Sequence, residues 1–413
     1  MKKRHFLKTI GPGLMWAAAA IGVSHLVQST RAGASFGFEL IWVIIIANLL
    51  KYPFFEFAPR YTASTGESLI DGYKRLGIFA VIVYIILTIA TMFTIQSAVT
   101  AVTAGLFAHI FVNSFDSFTW TIIIIAISAI IILIGRYSIL DNFIKIIIIL
   151  LAVSTVVAIV SASFKGFNPD PIFAKSFNWD TDIAFLIAFI GWMPSAIDIS
   201  VWHSMWIIAK KKASGYAPKV KEVLFDFNIG YIGTSILSIM FLMLGAFVMY
   251  GTGEVFSDKG TVFASQLIKL YTESIGDWAN ILIAIAAITT MFSTTITCLD
   301  AFPRVLRPST EIIFPKLKFK TNVLSWIWLL ILITGTLIII KYFAESMKML
   351  VDIATTLSFL TAPVLGFLNY KVIMGKNVPD KDKPKLWLKV LSYIGLIFLS
   401  GFGIYFLIWR FML

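Results

Sequence analysis

Charge is what this chain of 413 residues has least of. Asp, Glu, Lys and Arg make up 14% of it, about half the share usual in a soluble domain. With 59% hydrophobic residues, too little polar surface is left to wet a globule, and a water-soluble enzyme is excluded. Disorder is excluded as well, because it needs low hydrophobicity. Cysteine is nearly missing. Cys298 stands alone in an apolar run, so neither a disulfide framework nor a multi-thiolate metal site is possible. The four histidines, His5, His25, His109 and His203, are scattered. No nucleophile–base motif or phosphate loop accompanies them, and no short repeat period recurs, so the chain reads as neither an enzyme nor a repeat array.

Long apolar runs are abundant. Crossing about 30 Å of hydrocarbon takes a helix of about 20 residues. Eleven runs qualify, near 12–34, 38–62, 78–109, 118–135, 141–163, 183–208, 224–251, 277–301, 323–340, 348–372 and 387–411. The prediction is an all-α polytopic membrane protein, one transmembrane domain over 1–413. The basic start, Met1 to His5, imitates a signal peptide, but its apolar part runs on and further spans follow, so it reads as the first helix.

The net charge of +12 comes without a basic helix or an aromatic-basic platform, so no nucleic-acid partner is implied. Topology explains the charge better. With the N-terminus in the cytoplasm, 24 of the 34 Lys and Arg residues face that side, among them Lys210, Lys211, Lys212 and the stretch 304–320. Eight face the other side, and Lys51 and Lys145 fall within spans. Basic loops stay on the side of insertion, which predicts a multi-pass protein of the cell membrane (an inner membrane in a bacterium) with a cytoplasmic N-terminus and an extracytoplasmic C-terminus. The outer segment 254–277 has Phe256, Phe263, Leu267, Leu270 and Tyr271 at helical spacing, consistent with an amphipathic helix that is either a lid or a plain surface helix.

Two spans are interrupted. The first holds Ile21-Gly22-Val23-Ser24-His25 at its middle, and the sixth holds Ile190-Gly191-Trp192-Met193-Pro194-Ser195. Proline removes a backbone donor and glycine tolerates unwound dihedrals. A single kink in a membrane helix is commonly structural, whereas interruptions at equivalent places in two halves point to a transporter built from inverted repeats. Pairs at i,i+4 spacing, Glu56 with Arg60 and Asp300 with Arg304, read as structural, and Ser64-Thr65-Gly66-Glu67 reads as a helix start.

The stretch from Gly11-Pro12-Gly13 to Ala32-Gly33-Ala34, Met193-Pro194, and the run Ser293-Thr294-Thr295-Ile296-Thr297 together resemble the natural resistance-associated macrophage protein (Nramp) family of divalent-metal transporters. The resemblance covers nearly the whole chain in helix count and order. It implies a LeuT-type fold: five-helix halves at 12–163 and 183–372 in inverted repeat, an eleventh helix at 387–411, and helices one and six unwound at mid-membrane. It also exposes departures. The family's Asp-Pro-Gly-Asn, whose Asp and Asn bind metal, aligns with Gly22, Val23, Ser24 and His25. Its Met-Pro-His becomes Met193-Pro194-Ser195, and a second family histidine falls at Ser200. The acidic pair of the third helix is replaced by uncharged residues around Met92 and Ile95-Gln96, so the usual proton route is missing.

The expected substrate site is Gly22, Val23, Ser24, His25, Met193, Pro194, Ser195 and Asp198. A divalent ion there would lack the carboxylates it prefers, leaving His25 and Met193 as its alternative ligands. Half-helices starting near Ser24 and Ser195 aim positive ends at the cavity, which favours a small oxyanion such as bicarbonate. Accumulating an anion in a negative interior needs a coupling cation. The resemblance places sodium between helix-one carbonyls and Ser293, Thr294 and Thr297, residues that helix packing explains equally. Asp198 reads both as a helix cap, through Ser195-Ala196-Ile197-Asp198, and as a cation ligand or proton carrier. The sequence thus predicts a secondary transporter of a small inorganic ion working by alternating access. A sodium-coupled oxyanion is the favoured cargo, a divalent cation (Mn, Mg or Fe) without proton coupling the alternative, and a non-transporting receptor on the same fold a third class. Beyond sodium no cofactor is implied.

Overall fold

A computed structural model describes residues 11–111, 115–134, 137–316, 323–343 and 346–412. Helices make up nearly all of it, with no strand among the described residues. The first span is α1 (Pro12–Ala20), a π-helical segment (Ser24–Ser29) and α2 (Thr30–Phe36). Then come α3 (Ile41–Thr65), the short α4 (Leu69–Leu76), α5 (Ile78–Ile110), α6 (Ser117–Ile134) and α7 (Tyr137–Phe164). The sixth span is α8 (Ile183–Gly191) and α9 (Ile199–Ser214), followed by α10 (Val220–Met249), α11 (Gly260–Ile275), α12 (Ala279–Ile313), α13 (Val323–Phe343), α14 (Met347–Ile373) and α15 (Leu386–Met412).

Eight of these helices are long and apolar enough to cross a membrane. The other three apolar runs correspond to the two broken spans and to α7, whose side chains are described only from Ile149. The basic N-terminus, Arg136, Lys318, Lys320 and the Lys145 side chain, all counted for orientation, lie outside the described residues. The amphipathic segment is α11, which buries Phe263, Leu267, Leu270 and Tyr271, with Phe256 also buried just ahead of it. One start signal is displaced: Ser68, not Ser64, caps α4, exchanging hydrogen bonds with Asp71 in a capping box. The reason is Gly66, whose positive φ of 76° ends α3 and makes room for the cap.

Packing arranges the halves around the broken spans. The pieces of the first span lie along α10, α8 packs on α14, α9 packs on α3 and α1, and α5 packs on α12. Lipid gives no hydrophobic drive between helices, so close approach at small residues supplies the contact energy. At the α2–α10 crossing a Cβ on Gly33 would stand 1.9 Å from the Leu242 carbonyl oxygen, and one on Gly245 would stand 2.3 Å from that of Thr30. Gly233, on the same helix, faces open space. Gly33→Ala and Gly245→Ala should therefore each cost about 1–3 kcal/mol by overpacking, read as a lower melting temperature in detergent. Gly233→Ala should melt as the parent does.

Candidate functional site

The first span stops where its sequence lets it. Ile21, the C-terminal cap of α1, has extended dihedrals, and regular winding resumes only with the π-helical segment at Ser24. In the sixth span α8 ends at Gly191 and α9 begins at Ile199, four residues later than the start near Ser195 that the sequence suggests. Pro194 cannot donate to a preceding turn, and the chain stays uncoiled across it.

The breaks meet at a small cavity of about 30 Å³ between spans one, three, six and eight. Of the expected site residues, Val23, Ser24, Ser195, Asp198 and Thr294 line it. Ile95, Val99, Trp192, Trp202 and Cys298 join them. Gly22 stands behind the wall, packed so tightly that a Cβ there would lie 2.9 Å from Thr294 Oγ1.

Several expected members do not reach the cavity. His25 is fully buried, but its Nδ1 pairs with Ser24 Oγ at 2.7 Å and its Nε2 donates to the Thr234 carbonyl of α10 at 2.9 Å. The wider π turn carries its ring to that neighbour. Met193 is core, and neither it nor Pro194 lines the cavity. Ser293 and Thr297 are buried on α12 outside the lining. Ser200 instead accepts from Asn369 Nδ2 at 2.9 Å. Asp198 is the residue preceding α9, without a side-chain cap. Its Oδ2 accepts from Thr91 Oγ1 at 3.3 Å, so the capping-box reading gives way to a carboxylate facing the cavity.

Two features of the backbone define the chemistry. Among the described residues, nothing accepts from the N–H groups of Gly22, Val23 and Ser24, or from those of Ser195, Ala196 and Ile197, although all six residues are buried. Each such orphan costs about 1–3 kcal/mol unless a ligand or water meets it. On the opposite side of the sixth-span break, the carbonyls are held. Lys51 of α3, fully buried, donates to the oxygens of Ile190 at 2.7 Å, Gly191 at 2.8 Å and Ser195 at 3.4 Å. All three ammonium hydrogens are thereby used. Sequence reasoning passed over Lys51, although a lysine deep in an apolar run is itself the signal.

Both ends of the first span are fastened. At one, Asp226 of α10 accepts from the N–H groups of Gly11 at 3.3 Å and Gly13 at 2.6 Å. At the other, Arg31 of α2 forms a bidentate pair with Asp352 of α14 at 2.7 and 3.1 Å. Gln28 joins that pair, and the guanidinium lies over the Phe185 ring of α8. The expected structural pairs are present: Arg60 with Glu56, extended by a bond to the Asp382 carbonyl, and Arg304 with Asp300 at 2.8 Å.

Two broken spans around a buried cavity, inside a bundle of apolar helices, define a membrane transporter with the LeuT-type fold rather than an enzyme. The model for natural resistance-associated macrophage protein-like sequences matches residues 13–409, and the chain belongs to the Nramp family. An uncharacterized protein of Pasteurella multocida (strain Pm70) is 36% identical over 403 residues, 96% of this chain and 91% of that protein. A manganese transporter of Eremococcus coleocola, in complex with an aromatic bis-isothiourea compound, superposes with a TM-score of 0.69 at 15% identity, covering 97% of this chain and 86% of that one. Mhp1, a nucleobase-cation-symport-1 family transporter with bromovinylhydantoin bound, gives 0.56 at 16% identity, covering 97% and 93%.

Lys51→Met keeps the stem but removes the three donors. It should destabilise the protein by about 1–3 kcal/mol per carbonyl left bare, measured by thermal unfolding in detergent. Lys51→Arg should recover part of the loss.

Proposed function

We propose that this protein is a secondary active transporter that carries a small ion through the central cavity by alternating access. The observation that supports it most directly is that both interrupted spans leave backbone N–H groups without an acceptor among the described residues and both contribute residues to the lining of one cavity. A rigid anchor has no use for such groups, whereas a cargo that visits and leaves satisfies them in turn. The Arg31–Asp352 pair joins α2 to α14, and the Asp226 contact joins α1 to α10. Breaking one fastening at a time would open the cavity to one side. The charge asymmetry supports a cytoplasmic N-terminus in the cell membrane.

The six N–H groups favour an anion as cargo. Carrying it against a negative interior costs about 2.3 kcal/mol per charge per 100 mV, so a cation must travel with it. Asp198 is placed to carry a proton. Thr294, against Gly22, offers the hydroxyl that a sodium site would use, and the Ser293 hydroxyl beside it on α12 is buried without a partner among the described residues. The second reading is a metal ion, the cargo class named for the Eremococcus transporter. Its donors here would be the Asp198 carboxylate, the Ser24, Ser195 and Thr294 hydroxyls and the Cys298 thiol. A divalent ion would keep about one unbalanced charge in apolar surroundings, a penalty of several kcal/mol. Among the described residues no three His, Cys, Asp or Glu side chains gather to relieve it.

Proteoliposomes separate the readings. The expected result is uptake of labelled bicarbonate or acetate that collapses without a sodium or proton gradient, with no manganese quenching of a trapped dye. Manganese entry without anion uptake would transfer the assignment to the metal reading. Asp198→Asn should lower gradient-driven accumulation more than tenfold and spare protein stability.

A further inference from the structure

Away from the central cavity, two membrane spans begin side by side. α10 starts at Val220 and α15 at Leu386, and both pack on α3. Tyr52 of α3 touches each of them: its hydroxyl donates to Asn228 Oδ1 of α10 at 2.9 Å, and its ring stacks on Trp387 of α15 with centroids 6.4 Å apart. Between the start of α10, the segment ahead of α15 and the end of α3 lies an open cleft of about 1140 Å³.

Three lysines line it, Lys219 and Lys221 at the start of α10 and Lys381 ahead of α15. Among the described residues none of the three forms an ion pair. The two acids of the cleft are already engaged. Glu222 accepts from the Tyr216 hydroxyl at 3.0 Å and from the Lys219 backbone N–H at 2.9 Å, and Asp382 accepts from Ser64 Oγ at 3.1 Å. Lys211 lines an adjoining pocket of about 210 Å³ that shares Ala63, Ser64 and Pro218 with the cleft. Ammonium groups gathered without a counterion repel one another, and an anion placed among them relieves that repulsion.

Beside the lysines the surface turns apolar. Phe225 lines the cleft and is exposed, and Ile229, Ile232 and Ile236 carry an exposed stripe onward along α10 at helical spacing. On α15 the exposed side chains are Trp387, Val390 and Ile394. A phosphate free in water has no use for these faces, whereas a phospholipid has a phosphate for the lysines and hydrocarbon for the stripe. Basic pockets at the ends of membrane helices recognise anionic headgroups in this way.

We propose that this cleft is a binding site for an anionic phospholipid, with the phosphate among Lys219, Lys221 and Lys381 and the acyl chains along the exposed faces of α10 and α15. Bound there, the lipid ties the start of α10 to the segment that joins α14 to α15.

The test titrates the purified full-length protein in detergent with dioctanoyl-phosphatidylglycerol, dioctanoyl-phosphatidylcholine and inorganic phosphate, reading bound lipid by native mass spectrometry and stability by melting temperature. A lysine near an anionic headgroup is worth about 1 kcal/mol, or about fivefold in Kd. Phosphatidylglycerol should therefore bind more than about tenfold tighter than phosphatidylcholine, and Lys221→Gln should weaken it about fivefold. Combining Lys219→Gln, Lys221→Gln and Lys381→Gln should abolish the preference and leave the lipid-free melting temperature unchanged; if that combination misfolds, Lys221→Gln alone carries the test. Removing the same charge at Lys165, Lys259 and Lys341, which lie outside the cleft, should leave the preference intact. Ile232→Ser should weaken both lipids alike. A preference that survives the cleft substitutions, or that falls as far with the distant ones, would overturn the site. Inorganic phosphate raising the melting temperature as much as phosphatidylglycerol does would overturn the lipid and assign the cleft to a soluble anion.

Discussion

Within a bilayer a backbone N–H finds no water, so every helix must satisfy its own or be relieved by a neighbour. This molecule relaxes that requirement in two spans that face the same cavity. Ala20 and Gly191 end their helices, Ser24 and Ile199 begin the next ones, and several backbone donors between them have no acceptor among the described residues. The rest of the structure holds this costly arrangement in place. α10 runs along the first span, α14 supports α8, and α3 brings a lysine to the carbonyl side of the second break.

The two sides of the sixth-span break are treated differently. Its carbonyls are met by the amine of Lys51, which belongs to the protein; among the described residues its amides have no acceptor. The Lys51 donors satisfy carbonyls that the end of α8 leaves without intrahelical partners. The cavity lining itself offers one carboxylate, Asp198, among mostly apolar side chains. Membership in the Nramp family fixes the scaffold and the transporter class.

Much of the fold was legible in the sequence because hydrophobic length is an additive property of a chain. Runs of about 20 apolar residues must be helices in lipid, and Gly22 and Pro194 mark where two of them fail. The site was legible only in part. Val23, Ser24, Ser195, Asp198 and Thr294 do face one cavity, but His25 and Met193 do not. The phase of a side chain after a break depends on how the chain rewinds. A π turn after Val23 and a late start at Ile199 rotate the following residues in ways that spacing does not encode. Lys51 escaped for another reason: its partners are carbonyls more than a hundred residues away, which no local pattern announces.

By itself, then, the sequence determined residence in the membrane, the number and order of the spans and the places where two of them are interrupted, since these follow from composition and from what proline and glycine forbid. Tertiary structure decided which groups meet. Only packing brought Lys51 to the carbonyls of α8, turned His25 to α10 and set two indoles in the cavity wall, because hydrogen bonds and apolar walls are formed between residues that the chain itself keeps far apart.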